Sequence, residues 1–312
     1  PGEGVYSHRS VLDAESRLLA ALDDLNAPVA DPDIAASVAQ APQPSRRADG
    51  APVRLATDQA SAVVEIATSG RRVDVLVGPA GTGKTTTLRA LRTVWEARFG
   101  PGSVTGLAPS AAAAHELATA LGIGCENTAK WLFETTGPAG RSRHDALEGL
   151  RSEGEDARRC GDTSAATHLA QAATEVQAAL AGTLTLDTLR EQATGAGAKL
   201  LLVGDHQQLS AVDAGGAFGL LAATPDAHEL RSLWRFTQRW EAYATRRLRH
   251  GDPGVLADYE QHERITAGTS DEVLDAAYDA WAFDQTAGVS ALLLAADTTT
   301  VDALNDRAHQ ER

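Results

Sequence analysis

Apolar residues recur at helical spacing near the amino end, where Val11, Leu18, Leu22 and Leu25 share one face and Ser10 with Asp13 reads as an N-cap box. The pattern predicts a small helix ending near Leu25. Pro28, Pro32, Pro42, Pro44 and Pro52 then break regular structure around a short helix near Ile34 to Val38, so residues 1–51 read as a helical element and connector. Thr57 reads as the cap of a helix running toward Thr68, and Val73 to Val77 is a β-branched strand entering a glycine-rich turn and a helix from Thr85 to Ala97. Ser103 to Leu107 and Lys199 to Val203 are further apolar strands, and Ser290 to Leu294 is a fourth, ahead of a capped helix from Thr298 to Ala308. Strands alternating with helices predict an α/β fold, a parallel sheet covered on both faces. The arginines and acids between Arg141 and Arg159 read as a solvated helical excursion, and no internal repeat is evident.

The turn after Val77 carries the chemistry. Gly78-Pro79-Ala80-Gly81-Thr82-Gly83-Lys84-Thr85 fits G-x-x-x-x-G-K-[ST] and lies between a strand and a helix, the context that a P-loop requires. Glycines there let backbone N–H groups turn inward around phosphate oxygens, and the following helix adds the positive end of its dipole. Lys84 is expected to reach the β- and γ-phosphates and Thr85 to be the Mg²⁺ ligand, with Thr86 beside them. The expectation is a P-loop NTPase taking ATP and Mg²⁺. Phosphate cradles also occur in small-molecule kinases, so other segments must decide the class.

Gly204-Asp205-His206-Gln207-Gln208-Leu209 follows the strand at Lys199, and with Gln59 ahead of the P-loop it resembles superfamily 1 helicases of the RecD-like branch. The resemblance implies that Gln59 reads adenine, that Asp205 lies in the nucleotide pocket and that Gln208 couples the γ-phosphate to DNA. Leu107-Ala108-Pro109-Ser110, Thr128-Ala129-Lys130-Trp131 and Leu230 to Arg235 extend it. There it implies strand contacts for Pro109, Ser110, Lys130 and Trp131, and a γ-phosphate contact for Arg235. The wording of Gly78 to Leu88, Thr128 to Leu132, Ala181 to Leu189 and Ala211 to Leu221 is similar to the helicase half of actinobacterial TraA- or TrwC-type conjugative relaxases. That likeness implies a RecA-like domain over 52–228, the beginning of a second over 229–312, and a motor on single-stranded DNA. Its implied partners are other conjugation proteins and an attached relaxase domain, and a RecD-like repair helicase outside conjugation is a further alternative.

Composition narrows the class. The 28 basic and 42 acidic residues leave a net charge of −14, which argues against a protein that coats duplex DNA electrostatically but leaves room for a narrow strand track. No run approaches the roughly 18 apolar residues of a membrane span, and Pro1-Gly2-Glu3 is no secretory signal, so a cytoplasmic location is expected. Cys125 and Cys160 make neither a disulfide framework nor a metal site. Trp131 and Trp234 are suited either to base stacking or to a core, and Arg246, Arg247 and Arg249 fit the dipole at a helix C-terminus without any DNA role.

One part of the pattern is missing. Hydrolysis in this class needs an aspartate that holds Mg²⁺ and a neighbouring glutamate that orients water. The resemblance places that pair on an apolar strand just before Ala181, yet Glu175 to Leu180 reads as helical, and Asp187 belongs to the following helix. Together with the absence of methionine, this leads to the expectation of a break in the chain between about Gly137 and Ala181, seen as a Leu180 to Ala181 Cα separation well beyond about 3.8 Å. The competing expectation is a protein that binds ATP and turns it over poorly, as a nucleotide-gated DNA clamp or scaffold would.

Overall fold

Strand β1, Val73–Val77, is buried along its whole length. In the computed structural model, which describes residues 9–44, 51–136, 182–207, 215–234, 236 and 238–310, helices cover both faces of β1. Helices α1 (Arg9–Asp23), α2 (Pro32–Gln40) and α3 (Thr57–Thr68) precede it, and α4 (Lys84–Phe99) follows. Next come β2 (Thr105–Ala108), α5 (Ala111–Leu121), β3 (Gly124–Asn127) and α6 (Thr128–Thr136). A helix over residues 182–195 (α7), β4 (Leu200–Gly204), α8 (Gly215–Ala222) and β5 (His228–Glu229) complete this part.

Period-two alternation divides the β1 side chains between two apolar layers. Val73, Val75 and Val77 pack with Leu18, Ala21 and Leu22 of α1 and Ala217 and Leu221 of α8. Leu76 packs on the other side with Val63 and Ile66 of α3, Ala90, Leu91 and Val94 of α4 and Ala35 and Ala39 of α2. The amino-terminal helix is thus a cover of the sheet. Both neighbours of β1 run parallel to it in the order β4-β1-β5, with Val73 opposite Leu200, Val77 opposite Gly204 and Leu76 opposite His228. β2 and β3 form a second parallel pair, and among the described residues β4 and β2 each have a partner on one side only. Parallel strands with covering helices are the P-loop NTPase architecture that the sequence implied.

A buried charge cluster occupies the other end of β1. Asp74, whose side chain is 1% exposed, takes the Lys199 ammonium at 2.7 Å and the Ser69 hydroxyl at 2.8 Å. Lys199 also donates to the Ile66 carbonyl at 2.5 Å and to the Ser69 hydroxyl oxygen at 2.7 Å. His228 stands between Glu65, 3.1 Å from Nδ1, and Asp74, 3.6 Å from Nε2. Burial alone pushes the Asp74 carboxyl up, but His228, Lys199 and Ser69 overcome it and hold it below the usual carboxylate range.

The chain divides into compact units Pro1–Thr237 and Gln238–Arg312. The described part of the second is helical: Arg239–Arg249, a 3₁₀ turn at Pro253–Val255, Leu256–Gln261, Ser270–Thr286 and Thr298–Gln310. Thr269 and Glu272 form a reciprocal capping box at the start of Ser270–Thr286. Arg247 pairs with Asp252 at 2.8 Å and Asp258 at 2.5 Å, a local structural use for that basic run.

Three local expectations are corrected. Residues 289–295 form no strand, and Leu292 and Leu294 are exposed; a strand needs a partner ladder, and no strand is described in that unit. The N-cap of α3 is Ala56 rather than Thr57, and the Gln59 side chain takes the Ala56 N–H at 2.9 Å. Helix α1 already includes Arg9, which puts Ser10 inside it rather than at its cap. The Arg141 to Arg159 excursion, Cys160 and the proposed break at Leu180 to Ala181 lie outside the described residues.

Candidate nucleotide site

The P-loop leaves β1 at Val77 and is fastened to β4, where the Gly78 N–H donates to the Gly204 carbonyl at 3.1 Å. Gly81 and Gly83 have φ of 90° and 79°, a left-handed backbone that glycine adopts without strain. A Cβ at Gly78 would lie 2.6 Å from the Thr82 hydroxyl oxygen, and one at Gly83 would collide with Gln59 Nε2. The glycines therefore answer to close backbone packing as well as to loop curvature.

Carbonyl groups on the outside of the loop are held by named partners. Thr82 O accepts from Gln59 Nε2 at 2.8 Å, and Gly81 O accepts from the Trp234 N–H at 2.9 Å. In a planar trans peptide the N–H of the next residue points opposite to the carbonyl, so these two contacts fix the N–H directions of Gly83 and Thr82. Thr82 is fully buried, and its hydroxyl donates to the Pro79 carbonyl at 2.8 Å. Lys84 lies across the loop, its ammonium 2.5 Å from the Gly78 carbonyl and 3.1 Å from that of Pro79. Its N-cap is Gly83, without a side-chain cap, so the positive end of α4 faces the loop. Thr85 and Thr86 occupy the first turn of α4, and the Thr86 N–H closes on the Gly83 carbonyl at 2.9 Å.

The other nucleotide residues divide between described and undescribed positions. Gln59, 3% exposed, lies against the loop with its amide shared between Ala56 and Thr82. Asp205 follows β4, whose last residue, Gly204, pairs with Val77, and its carboxylate takes the Gln207 N–H at 3.2 Å. Gln208 and Arg235 lie outside the described residues. Trp234 is 56% exposed and lies beside Gly83, where an added Cβ would come within 3.8 Å of its indole.

The residues expected to contact DNA meet at the carboxyl ends of β2 and β3. Asn127 Nδ2 donates to the Pro109 carbonyl at 3.0 Å, and its Oδ1 caps α6 by accepting from Ala129 N at 2.9 Å and Lys130 N at 3.1 Å. The side chains of Ser110, Lys130 and Trp131 each have an internal partner. The Ser110 hydroxyl caps α5 by taking the Ala113 N–H at 3.1 Å, and Trp131 Nε1 donates to Gln192 at 2.9 Å. Lys130 pairs with Glu126 at 2.6 Å and Glu134 at 3.8 Å, which raises its pKa. Sequence reading passed over Asn127, although Asn ahead of Thr at a helix start is a cap signal. Asp187 is occupied structurally, 2.6 Å from Arg17 and 2.8 Å from Arg190.

Residues 54–270 match the AAA domain family. Over 205 residues the chain is 30% identical to the probable conjugal transfer protein TraA of Sinorhizobium fredii, covering 66% of this chain and 16% of that protein. It is 30% identical over 214 residues to the conjugal transfer protein TraA of Rhizobium radiobacter, covering 68% and 17%. The corresponding protein of Agrobacterium fabrum is 29% identical over 213 residues, again 68% and 17%. The chain thus spans about a sixth of the length of the curated relatives it matches.

Proposed function

The chain belongs to the AAA domain family, and on that premise we propose that it is the ATP-driven motor segment of a conjugative DNA-transfer protein, moving on single-stranded DNA. The observation that carries the reading is the glycine-lined loop, with Lys84 folded across it and the uncapped start of α4 facing it. The positive φ of Gly81 and Gly83, the start of α4 without a side-chain cap and the Lys84 ammonium lying across the loop put backbone N–H donors and a cation together, so the residues present fit the phosphates of Mg-ATP. When bound, Mg-ATP supplies the phosphoanhydride bond whose cleavage drives the motor. Lys84 would hold the phosphates, Thr85 would offer its hydroxyl to Mg²⁺, and Gly78 to Gly83 would present backbone N–H groups. Asp205, Gln208 and Arg235 would respond to the γ-phosphate, and Gln59 would border the base. Pro109, Ser110, Lys130 and Trp131 would form part of the strand track.

The similarity to TraA proteins supports a place in plasmid transfer, and this reading extends to a RecD-like subtype, an actinobacterial source, a cytoplasmic location and a linked relaxase domain. Among the described residues no helix is long and apolar enough to cross a membrane. The proposed domain limits, 52–228 and 229 onward, follow from the motifs rather than from compactness.

A second reading is a nucleotide-gated DNA-binding module without efficient turnover. It draws on Asp187, which is engaged by Arg17 and Arg190, and on the described residues, where no Asp-Glu pair ends a strand beside the P-loop. Phosphate release with and without single-stranded DNA separates the two. Turnover that rises on adding the strand supports the motor, whereas tight nucleotide binding with no turnover in either condition supports the gated module. Turnover indifferent to DNA would remove both.

A further inference from the structure

We propose that Asp58 is a positioning residue of the nucleotide site: it holds the Arg231–Trp234 segment against the P-loop and thereby sets the peptide plane between Gly81 and Thr82. The inference rests on the nucleotide-binding reading of the P-loop and deepens it.

Beyond β5 the chain leaves the sheet. Leu230 N–H makes one more bond to β1, to the Val77 carbonyl at 2.8 Å, and residues 231–234 then have no regular structure. Their backbone donors need acceptors from elsewhere. The Asp58 carboxylate supplies them: Oδ2 accepts from Arg231 N at 2.7 Å and Ser232 N at 2.9 Å, and Oδ1 accepts from the Ser232 hydroxyl at 3.1 Å. Two residues later the Trp234 N–H reaches the Gly81 carbonyl.

The first turn of α3 therefore acts on two consecutive P-loop peptides by different routes. Gln59 holds the Thr82 carbonyl directly, and Asp58 holds the Gly81 carbonyl through the Ser232–Trp234 backbone. An acid at this position would ordinarily serve its own helix dipole. Here three of its contacts go to residues more than 170 positions away, as the separations of 173 and 174 attest. Burial pushes the carboxyl up, yet the hydrogen bonds from Ser232 and Arg231 hold it below its ordinary value, so the anion is the form that grips the segment.

The test uses the full chain with a fluorescent N-methylanthraniloyl ATP and Mg²⁺, comparing wild type, K84A, D58N and D58A. Misorienting a cradle peptide should raise the dissociation constant about tenfold in D58A and by a smaller factor in D58N, with thermal unfolding showing a retained fold. In ATP turnover the Asp58 variants should raise KM and leave kcat within about twofold of wild type, since a damaged fold would instead lower kcat by reducing the active fraction. K84A binding nucleotide like wild type would remove the P-loop reading itself. K84A losing binding while both Asp58 variants stay within about twofold of wild type would overturn this inference alone, as would a fall in kcat at unchanged KM. If D58A fails to fold, the isosteric D58N decides on the same criteria.

Discussion

Gln59 and Thr82 are joined by a 2.8 Å hydrogen bond from a buried side-chain amide to a P-loop carbonyl, and the same amide closes the first turn of α3 on Ala56. Replacing it with alanine strands both backbone groups, and the expected loss is about 1–3 kcal/mol of stability in denaturant unfolding. The Q59A variant also separates two roles. If Gln59 only braces the loop, affinities for ATP and GTP fall together; if it reads the base, as the helicase resemblance implies, the ratio between them changes.

Gly83 and Gly100 both have positive φ, 79° and 91°, but only Gly83 has neighbours that a Cβ would strike. Gly100, with ψ 161°, lies in a region that is essentially glycine's alone, so G100A should cost about 1–3 kcal/mol of backbone strain and leave nucleotide binding unchanged. G83A, in the left-handed helical region, should cost about 1–2 kcal/mol of strain and also abolish binding, because the Gln59 amide must move. Equal binding by the two variants would refute the idea that the loop is fixed by packing.

Removing one partner of the Asp74–Lys199 pair leaves a buried charge without compensation, so D74N should lose about 3–5 kcal/mol. The pH dependence has a definite sign. The folded Asp74 carboxyl titrates below its unfolded value, so its stabilisation is complete above roughly pH 4 and disappears as pH falls through the folded pKa. Unfolding midpoints measured from pH 6 downward should drop in wild type and lack that component in D74N; parallel curves would mean that Asp74 does not contribute it.

Lys130 is partly neutralised by Glu126 and Glu134. If it contacts a DNA phosphate, E126Q should strengthen single-strand affinity, whereas K130A should weaken it and reduce the salt slope by about 0.7. K130A with an unchanged salt slope would take Lys130 off the track.

What could be read from the residues follows from how locally each feature is determined. β1, β4 and α3 were legible because apolar runs and helical periodicity are properties of short windows, and the P-loop because glycine and lysine spacing is itself the chemistry. β3, with the sequence Gly-Cys-Glu-Asn, and the two-residue β5 carry no alternation and exist because parallel neighbours accept them. Ser290 to Leu294 is the converse case, a strand-like run with no described partner. The Asp58–Ser232 contact joins residues 174 apart, and no window reading reaches that distance. Asn127 is the opposite case, a local cap whose signal is the Asn-Thr pair at the start of α6.

The charge cluster at the foot of the sheet has a geometric consequence. Asp74, Lys199 and His228 belong to, or directly precede, the three strands that lead respectively to the P-loop, Asp205 and Leu230 to Trp234. Side chains alternate across a pleat, so sliding any one of these strands by a residue would turn its cluster side chain to the wrong face or away from its partner. The cluster works as a keyed joint: it admits one alignment of the strands and thereby levels the nucleotide-facing ends against one another. From Asp74 that control reaches Val77 over about 10 Å of extended chain, so errors of assembly at one end of the sheet become errors of phosphate geometry at the other.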